Sequence, residues 1–146
     1  MNTYQPPRHE YSCGTVLYTV KNSKLYYLII KSKKTGFCGI PKGHMEGSES
    51  ELETAVRETW EETSIRPEIV LDFCQRIEYK LKNGNIKTVT FFVADYTGKT
   101  PSHNEGFENM DYLELDFDQA YEALSMEKMK GVLKEADSYI RSRINI

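Results

Sequence analysis

The sequence has little cysteine and no internal repeat. Its three cysteines, Cys13, Cys38 and Cys74, are odd in number, lie far apart and form no C-x-x-C pair. Neither a zinc site nor a disulfide framework is therefore indicated. We expect all three thiols to be reduced and to pack as small buried hydrophobes, which is the usual environment of a free cysteine.

Long apolar runs are also absent, since no run approaches the roughly 18 residues needed to cross a bilayer. The first ten residues have neither the charged nor the apolar region of a secretion signal. We therefore expect a cytoplasmic protein with no membrane partner. With 146 residues, 39% of them hydrophobic, the chain has enough apolar material for one core, so residues 1–146 are predicted to form a single domain.

Positive charge is nearly missing from one stretch. Between Glu46 and Glu62 there are seven acidic residues and a single base, Arg57, which gives a local charge of −6. Because the net charge of the whole chain is −3, the remaining residues sum to +3. An acidic site on a mildly basic body suits a cation that carries an anionic ligand, and no duplex nucleic acid partner is expected.

Runs rich in β-branched and aromatic residues predict two β-hairpins. The first hairpin turns at four polar residues and the second at Asn83-Gly84, a dipeptide typical of two-residue turns. A short strand follows later, at Asp111–Leu115. The four long predicted strands are Tyr11–Val20, Leu25–Lys31, Ile69–Leu81 and Ile86–Tyr96.

Loops and helices account for the rest of the chain. Thr35–Ser48, with four glycines and Pro41, is predicted to hold no regular element, and residues 97–109 are a polar loop. Phe117–Leu124 and Ser125–Ile144 are predicted helices. The second has an apolar stripe at helical spacing that we expect to be core: Met126, Met129, Val132, Leu133, Ala136, Tyr139 and Ile140.

A further helix follows the glycine-rich loop, with Ser48 as its predicted cap and Glu51 completing a capping box. At about 100° per residue, one face gathers five residues that should pack on a sheet: Leu52, Ala55, Val56, Thr59 and Thr63. Strands, one central helix, more strands and terminal helices do not fit alternating βαβ units. We predict an α/β (α+β) fold with a mixed β-sheet sandwiched between helices.

Three carboxylates share one flank of this helix. Glu58 and Glu62 project about 40° apart, and Glu61 lies about 60° further round from Glu58. Like charges at such spacing each destabilise a helix by roughly 0.2–0.5 kcal/mol. A solvated acidic face is one interpretation. The other is a divalent cation, because Mg²⁺ prefers carboxylate and carbonyl oxygens and accepts substrate phosphates.

The same segment resembles the Nudix motif, G-x5-E-x7-R-E-U-x-E-E-x-G-U, where U is an aliphatic residue. The matching residues are Gly43, Glu49, Arg57, Glu58, Glu61, Glu62 and Ile65. Two positions depart from the motif. Thr59 replaces the first U, and Ser64 replaces the last glycine, where a left-handed backbone is often required and a non-glycine residue costs about 1 kcal/mol.

The resemblance implies a Nudix fold and a hydrolase that cleaves a phosphoanhydride of a nucleoside-diphosphate-linked substrate. It implies that Mg²⁺, with Mn²⁺ as a substitute, is held by Glu58 and Glu62 with the Gly43 carbonyl. Glu61 would ligate metal or help to activate the water, and Arg57 would orient the carboxylates. Glu46 and Glu49 are candidates for supporting these ligands or for binding an additional metal.

Beyond the motif, the stretches Pro41–Glu46 and Leu52–Thr59 look like the asymmetrical diadenosine tetraphosphate hydrolases, as do Tyr79 and Lys87-Thr88-Val89. This implies ATP and AMP as products.

In such a site Lys42 and Lys87 would hold phosphates, His44 would contact substrate and Tyr79 would stack on adenine. The ordinary alternatives stay open: a solvated lysine at 42, a packed tyrosine, and an edge-protecting lysine at 87.

Two other functions remain open. One is a Nudix hydrolase of a different substrate, such as a nucleoside triphosphate, an ADP-sugar or a 5′-triphosphate RNA end. The other is a non-catalytic nucleotide-binding sensor. In each case the expected partner is a small nucleotide, and the sequence does not predict an oligomeric state.

Overall fold

The structure, a computed structural model, describes residues 6–146. Residues 1–5, half of the N-terminal segment that lacks the features of a secretion signal, therefore lie outside the described residues. Across 6–146, no helix combines the length and apolar character needed to span a bilayer.

The two predicted hairpins form the centre of one mixed sheet. Its main path runs β3-β2-β1-β6-β5, with β4 paired to β1 and β7 paired to β2. β1 and β6 are parallel over ten residue pairs, whereas the other pairings are antiparallel. The strands are β1 (His9–Lys21), β2 (Lys24–Ser32), β3 (Cys38–Gly39), β4 (Lys42–His44), β5 (Ile69–Lys80), β6 (Ile86–Asp95) and β7 (Met110–Leu115).

Helices cover both faces of the sheet, which confirms the predicted architecture. The three helices are α1 (Glu51–Thr63), α2 (Phe117–Ala123) and α3 (Glu127–Ile144). On one face, alternate residues of β1, β2 and β6 pack against the predicted stripe of α3, whose fully buried members are Met129, Val132, Leu133, Ala136 and Ile140. On the other face α1 packs through Ala55 against Cys13 and Phe92.

α1 starts two residues later than predicted. Ser50, not Ser48, is the cap: its hydroxyl accepts from the Glu53 N–H at 3.1 Å, and the Glu53 carboxylate accepts from the Ser50 N–H at 3.0 Å. Glu51 cannot complete a capping box because its carboxylate is bonded to Arg76 and to the Thr90 hydroxyl. The capping box is therefore formed by Ser50 and Glu53, two residues further along the chain than predicted.

The packing face of α1 agrees with the prediction at Ala55, Thr59 and Thr63 but not at Leu52. Leu52 is 37% exposed and Val56 only partly buried, whereas Thr54, Ala55, Thr59 and Thr63 are buried. Small side chains allow a close approach to the sheet, and the Thr59 hydroxyl donates to that of Thr15 at 2.9 Å. The helix is therefore rotated so that polar but small residues, and not leucine, face inward.

Two further predictions were wrong. The glycine-rich loop contains β3 and β4, and β4 lies so close to β1 that a Cβ on Gly14 would be 2.1 Å from the Pro41 carbonyl oxygen. All three cysteines are free, but only Cys13 and Cys38 are buried. Cys74 lies on the edge strand β5, where its side chain points away from the core side that buries Phe73.

Candidate active site

Arg57 connects most of the acidic cluster. Its Nε and Nη2 donate to the two carboxylate oxygens of Glu49 at 2.7 and 3.0 Å, and Nη2 also donates to the His44 carbonyl at 2.8 Å. Its Nη1 donates to Glu58 at 2.8 Å and to Glu61 at 3.1 Å. Hydrogen bonds to Glu49 above all raise the pKa of Arg57, so the guanidinium is a permanent cation inside the cluster.

Glu49 is fully engaged in holding Arg57. The hydrogen bonds from the guanidinium lower the pKa of Glu49 to about 2, assisted by the Glu46 N–H, and the Thr54 hydroxyl also donates to it. Glu46 is less constrained, since its side chain is 71% exposed and lies 3.8 Å from Arg57 Nη1. These contacts favour a supporting role for Glu49 over direct binding of an additional metal.

Glu62 is a buried carboxylate with an incomplete set of partners. Among the described residues, its Oε2 atom is buried without a hydrogen-bond partner. Burial, followed by the charge of Glu58, raises the pKa of Glu62 to about 8, although Lys42 partly offsets this. Burial also raises the pKa of Glu58, against the opposing effect of Arg57. Both carboxylates would gain from an added cation.

Lys87 lies next to His44, whose backbone carbonyl accepts from Arg57. It is only 4% exposed, and its Nζ lies 3.2 Å from each ring nitrogen of His44 and 4.0 Å from Glu10. Burial, and then the charge of Lys42, lowers the pKa of Lys87. Burial, and then Lys87, lowers the pKa of His44. A buried lysine on the interior strand β6 does not protect a sheet edge, so that alternative fails.

The family model for the NUDIX domain matches residues 10–135. The chain belongs to the Nudix family. Bis(5′-nucleosyl)-tetraphosphatase [asymmetrical] from Rattus norvegicus is 29% identical over 144 residues, covering 90% of this chain and 95% of the relative. The Mus musculus protein of the same name is 27% identical with the same coverage. The chain is thus a Nudix hydrolase similar to bis(5′-nucleosyl)-tetraphosphatases.

Solved structures agree on the fold. A binary complex of the C. elegans Ap4A hydrolase superimposes with a TM-score of 0.83 at 22% identity, covering 91% of this chain and 98% of that one. The NUDIX domain of Shewanella oneidensis NrtR, complexed with ADP ribose, gives a TM-score of 0.71 at 13% identity, covering 94% and 90%. At these identities the likeness concerns the fold alone.

Nudix hydrolases use divalent metals, and the donors in this Nudix site fit one. Across residues 6–146, no three His, Cys, Asp or Glu side chains are already gathered as a metal site, because Glu58 and Glu61 are turned toward Arg57. However, the orphaned oxygen of Glu62 and the neighbouring carboxylate of Glu58 are hard donors suited to such an ion. The predicted roles of Glu61 and of the Gly43 carbonyl stay predictions.

The Nudix glycine Gly43 is required by a close approach. A Cβ built on it would lie 2.0 Å from Oε2 of Glu58 and 2.0 Å from the carboxyl carbon. β4 therefore reaches the α1 carboxylates only because residue 43 has no side chain. This explains in physical terms why the motif has a glycine here.

Replacing Gly43 with alanine should therefore displace the Glu58 carboxylate. Because that group is the flexible end of a side chain, we expect the fold to survive, with a melting temperature within a few degrees of wild type. Turnover should fall about tenfold through weaker metal binding. Steady-state rates at several metal concentrations would measure this. Gly131→Ala is the comparison, because an added Cβ there would meet no other atom within 4 Å, and an unchanged rate for Gly43→Ala would contradict the expectation.

A cleft of about 160 Å³ extends from Glu62 and Lys42. Its apolar wall includes Ile30, Phe37, Met110 and Met129. No sequence pattern predicts this wall, because its residues come from distant segments of the chain. Burial lowers the pKa of Lys42, which the carboxylates of Glu62 and Glu58 partly restore.

The other predicted substrate residue, Tyr79, pairs with Lys87 across β5 and β6 and is partly buried against the core. Its proposed stacking on adenine stays a prediction. In residues 97–109, the Glu108 carboxylate accepts from the Gly106 N–H, and Glu105 is exposed. The structure thus places Lys42 near the carboxylates of Glu58 and Glu62, Lys87 beside His44, and Tyr79 opposite Lys87 on β5.

Proposed function

We propose that this Nudix hydrolase uses Mg²⁺, with Mn²⁺ as a substitute, and cleaves diadenosine tetraphosphate asymmetrically to ATP and AMP. One observation carries the proposal: Lys42, near the carboxylates of Glu58 and Glu62, is also close to buried Lys87, which contacts His44. A substrate with several linked phosphates would meet cationic side chains on one side and a carboxylate-held cation on the other. The similarity to asymmetrical tetraphosphatases over 90% of the chain supports the choice of substrate.

The proposed reaction is hydrolysis at phosphorus. Water attacks one phosphorus and its oxygen remains on that product, while the P–O bond to the bridging oxygen breaks and that oxygen leaves with the other product. When bound, the cation neutralises phosphate oxygens and increases the acidity of the attacking water. Lys42 and Lys87 bind the phosphate chain, and His44 contacts substrate.

Glu61 is our candidate for accepting the proton of the attacking water, or for ligating the cation. Its side chain is 40% exposed, and so more open to solvent than Glu58 at 12%. Arg57 keeps the side chains of Glu58 and Glu61 in place. The protein thus supplies orientation and electrostatics.

A nucleotide panel tests the proposal. Purified protein is given diadenosine tetraphosphate, a nucleoside triphosphate, ADP-ribose and a 5′-triphosphate RNA, each with Mg²⁺ or EDTA. We expect ATP and AMP in equal amounts from the first, no turnover in EDTA, and the highest kcat/KM of the set. Chromatography identifies the products.

Three results would contradict parts of this proposal. Two molecules of ADP would overturn the asymmetric cleavage. A diadenosine compound among the poorest substrates would overturn the substrate. Tight nucleotide binding without turnover of any compound would indicate a sensor.

A further inference from the structure

The C-terminal end of α1 is bonded to the segment that follows β6. The Asn104 side-chain amide donates to the carbonyls of Trp60 at 2.7 Å and of Glu61 at 3.0 Å. The Tyr112 hydroxyl donates to the Glu62 carbonyl at 2.5 Å. The last carbonyls of a helix have no partner within the helix, so Asn104 and Tyr112 supply partners for Glu61 and Glu62, whereas the Trp60 carbonyl also accepts from the Ser64 N–H. We call residues 102–112 the clamp segment.

The clamp segment also accounts for the last two residues of this turn. The Ser102 N–H donates to the Thr63 carbonyl at 2.9 Å, and the hydroxyl of Ser64 donates to the Ser102 carbonyl at 3.1 Å. Ser64 has the left-handed backbone that the motif glycine predicts, with φ of 60°. Its side chain thus makes a contact with the clamp segment that glycine could not make.

The same segment forms part of the substrate cleft. Met110 lines the cleft together with Glu62 and Lys42. The His103 ring packs against that of Tyr112 at an angle of 31°, with ring centroids 4.9 Å apart, and its Nε2 lies 2.5 Å from the Met110 carbonyl. The contacts of the clamp segment therefore hold both Met110, in the wall of the cleft, and the C-terminal end of α1.

Helix ends fray readily when their carbonyls depend on water alone. Here the residues of the last turn include Glu61 and Glu62, whose carboxylates must converge on one cation. A fraying turn would let both carboxylates swing toward solvent, away from Glu58. Fixing the backbone carbonyls of these same two residues limits that motion.

We propose that Asn104 and Tyr112 are positioning residues that hold the last turn of α1, and with it Glu61 and Glu62, in the orientation that binds a divalent cation. The Ser64 hydroxyl ties the clamp segment to this turn. The proposal rests on the proposed function, because it assumes that these carboxylates hold the cation. Neither residue touches the reacting atoms.

The test measures Mn²⁺ binding directly, by calorimetry without nucleotide, in Tyr112→Phe and Asn104→Leu. Each substitution keeps most of the side-chain volume and removes the donor. We expect the Kd for Mn²⁺ to rise about tenfold, which is the usual loss when groups that orient metal ligands are removed. At saturating metal, the nucleotide KM should change less than twofold and most of kcat should return.

Asp116→Ala serves as the matched control. It removes the capping hydrogen bond of α2, 2.8 Å to Gln119, and should lower the melting temperature without changing the Kd for Mn²⁺. If the control weakens Mn²⁺ binding as much as Tyr112→Phe does, or if both clamp variants bind like wild type, the positioning role is wrong.

The measurements distinguish a wrong proposal about the clamp segment from a wrong proposal about the function. A wild-type protein that binds Mn²⁺ more tightly than its clamp variants but hydrolyses no diadenosine tetraphosphate would overturn the substrate and leave the clamp standing. A wild-type protein that hydrolyses this compound while the clamp variants bind Mn²⁺ normally would overturn the clamp alone.

Discussion

Glu62→Gln is expected to lower metal-dependent turnover by roughly 10³-fold, the loss typical of removing one central electrostatic group from an active site. Glutamine has nearly the same shape but no charge, and Glu62 is the carboxylate whose Oε2 is buried without a partner in the described structure. The variant should also lose the rise in melting temperature that Mg²⁺ or Mn²⁺ gives the wild type.

The same substitution should stabilise the protein at high pH when metal is absent. The pKa of Glu62 is raised from 4.5 to about 8 in the folded protein. The protonated, neutral form of Glu62 is the form that the folded protein favours. Its contribution to the stability of the fold is therefore complete below pH 4.5 and is lost as the pH rises through 8. At high pH the wild type keeps a buried negative charge on Glu62, which the variant lacks. The melting temperature of the variant minus that of the wild type should therefore grow from pH 6 to pH 9 in EDTA.

Glu68→Gln makes the same chemical change at an exposed position and is the control for both measurements. It should leave turnover and the pH dependence of the melting temperature unaltered. Near-normal turnover in Glu62→Gln would contradict its role as a metal ligand. A melting-temperature difference that stays flat between pH 6 and pH 9 would contradict the burial of its charge.

The sequence predicted those parts of the fold whose causes are local. Runs of β-branched and aromatic residues located the four long strands within two residues, and Asn83-Gly84 lies in the turn of the second hairpin, although that turn, between Lys80 and Ile86, is longer than the two residues predicted. It did not locate β4, because Lys42–His44 is a strand only where β1 offers partners across Gly14. The inward face of α1 was predicted only in part, because a hydropathy pattern favours Leu52, which is exposed, over the small Thr54, which is buried beside the predicted Ala55, Thr59 and Thr63.

For the site, motif spacing predicted which side chains gather around Arg57, since one helix and its preceding loop supply them all. It left Lys87 undecided, because a lysine on a strand has different roles at an edge and in the interior. Asn104 and Tyr112 gave no pattern at all. They act on a helix more than 40 residues earlier, through polar contacts that only the folded chain brings together.

Arg57→Lys is expected to lower turnover by roughly 10²-fold, although it conserves the charge. The guanidinium donates at once to Glu49, to Glu58, to Glu61 and to the His44 carbonyl. A lysine ammonium is a single point with three donors and cannot span these positions. Glu58 and Glu61 would then lose their shared anchor, so the Kd for Mn²⁺ should rise along with the loss of turnover.

Acid unfolding gives this substitution a second measurement. Arg57 holds the pKa of Glu49 at about 2, and a lowered pKa contributes stability above pH 4.5 that is lost as the pH falls toward 2. Without the bidentate contact the pKa of Glu49 should return toward 4.5, so the variant should unfold at a higher pH than wild type. Trp60 fluorescence measures this unfolding.

Arg76→Lys, which alters the exposed ion pair to Glu51, is the control and should change neither turnover nor Mn²⁺ binding. Arg57→Lys with wild-type metal affinity would mean that the carboxylates are oriented by the helix alone.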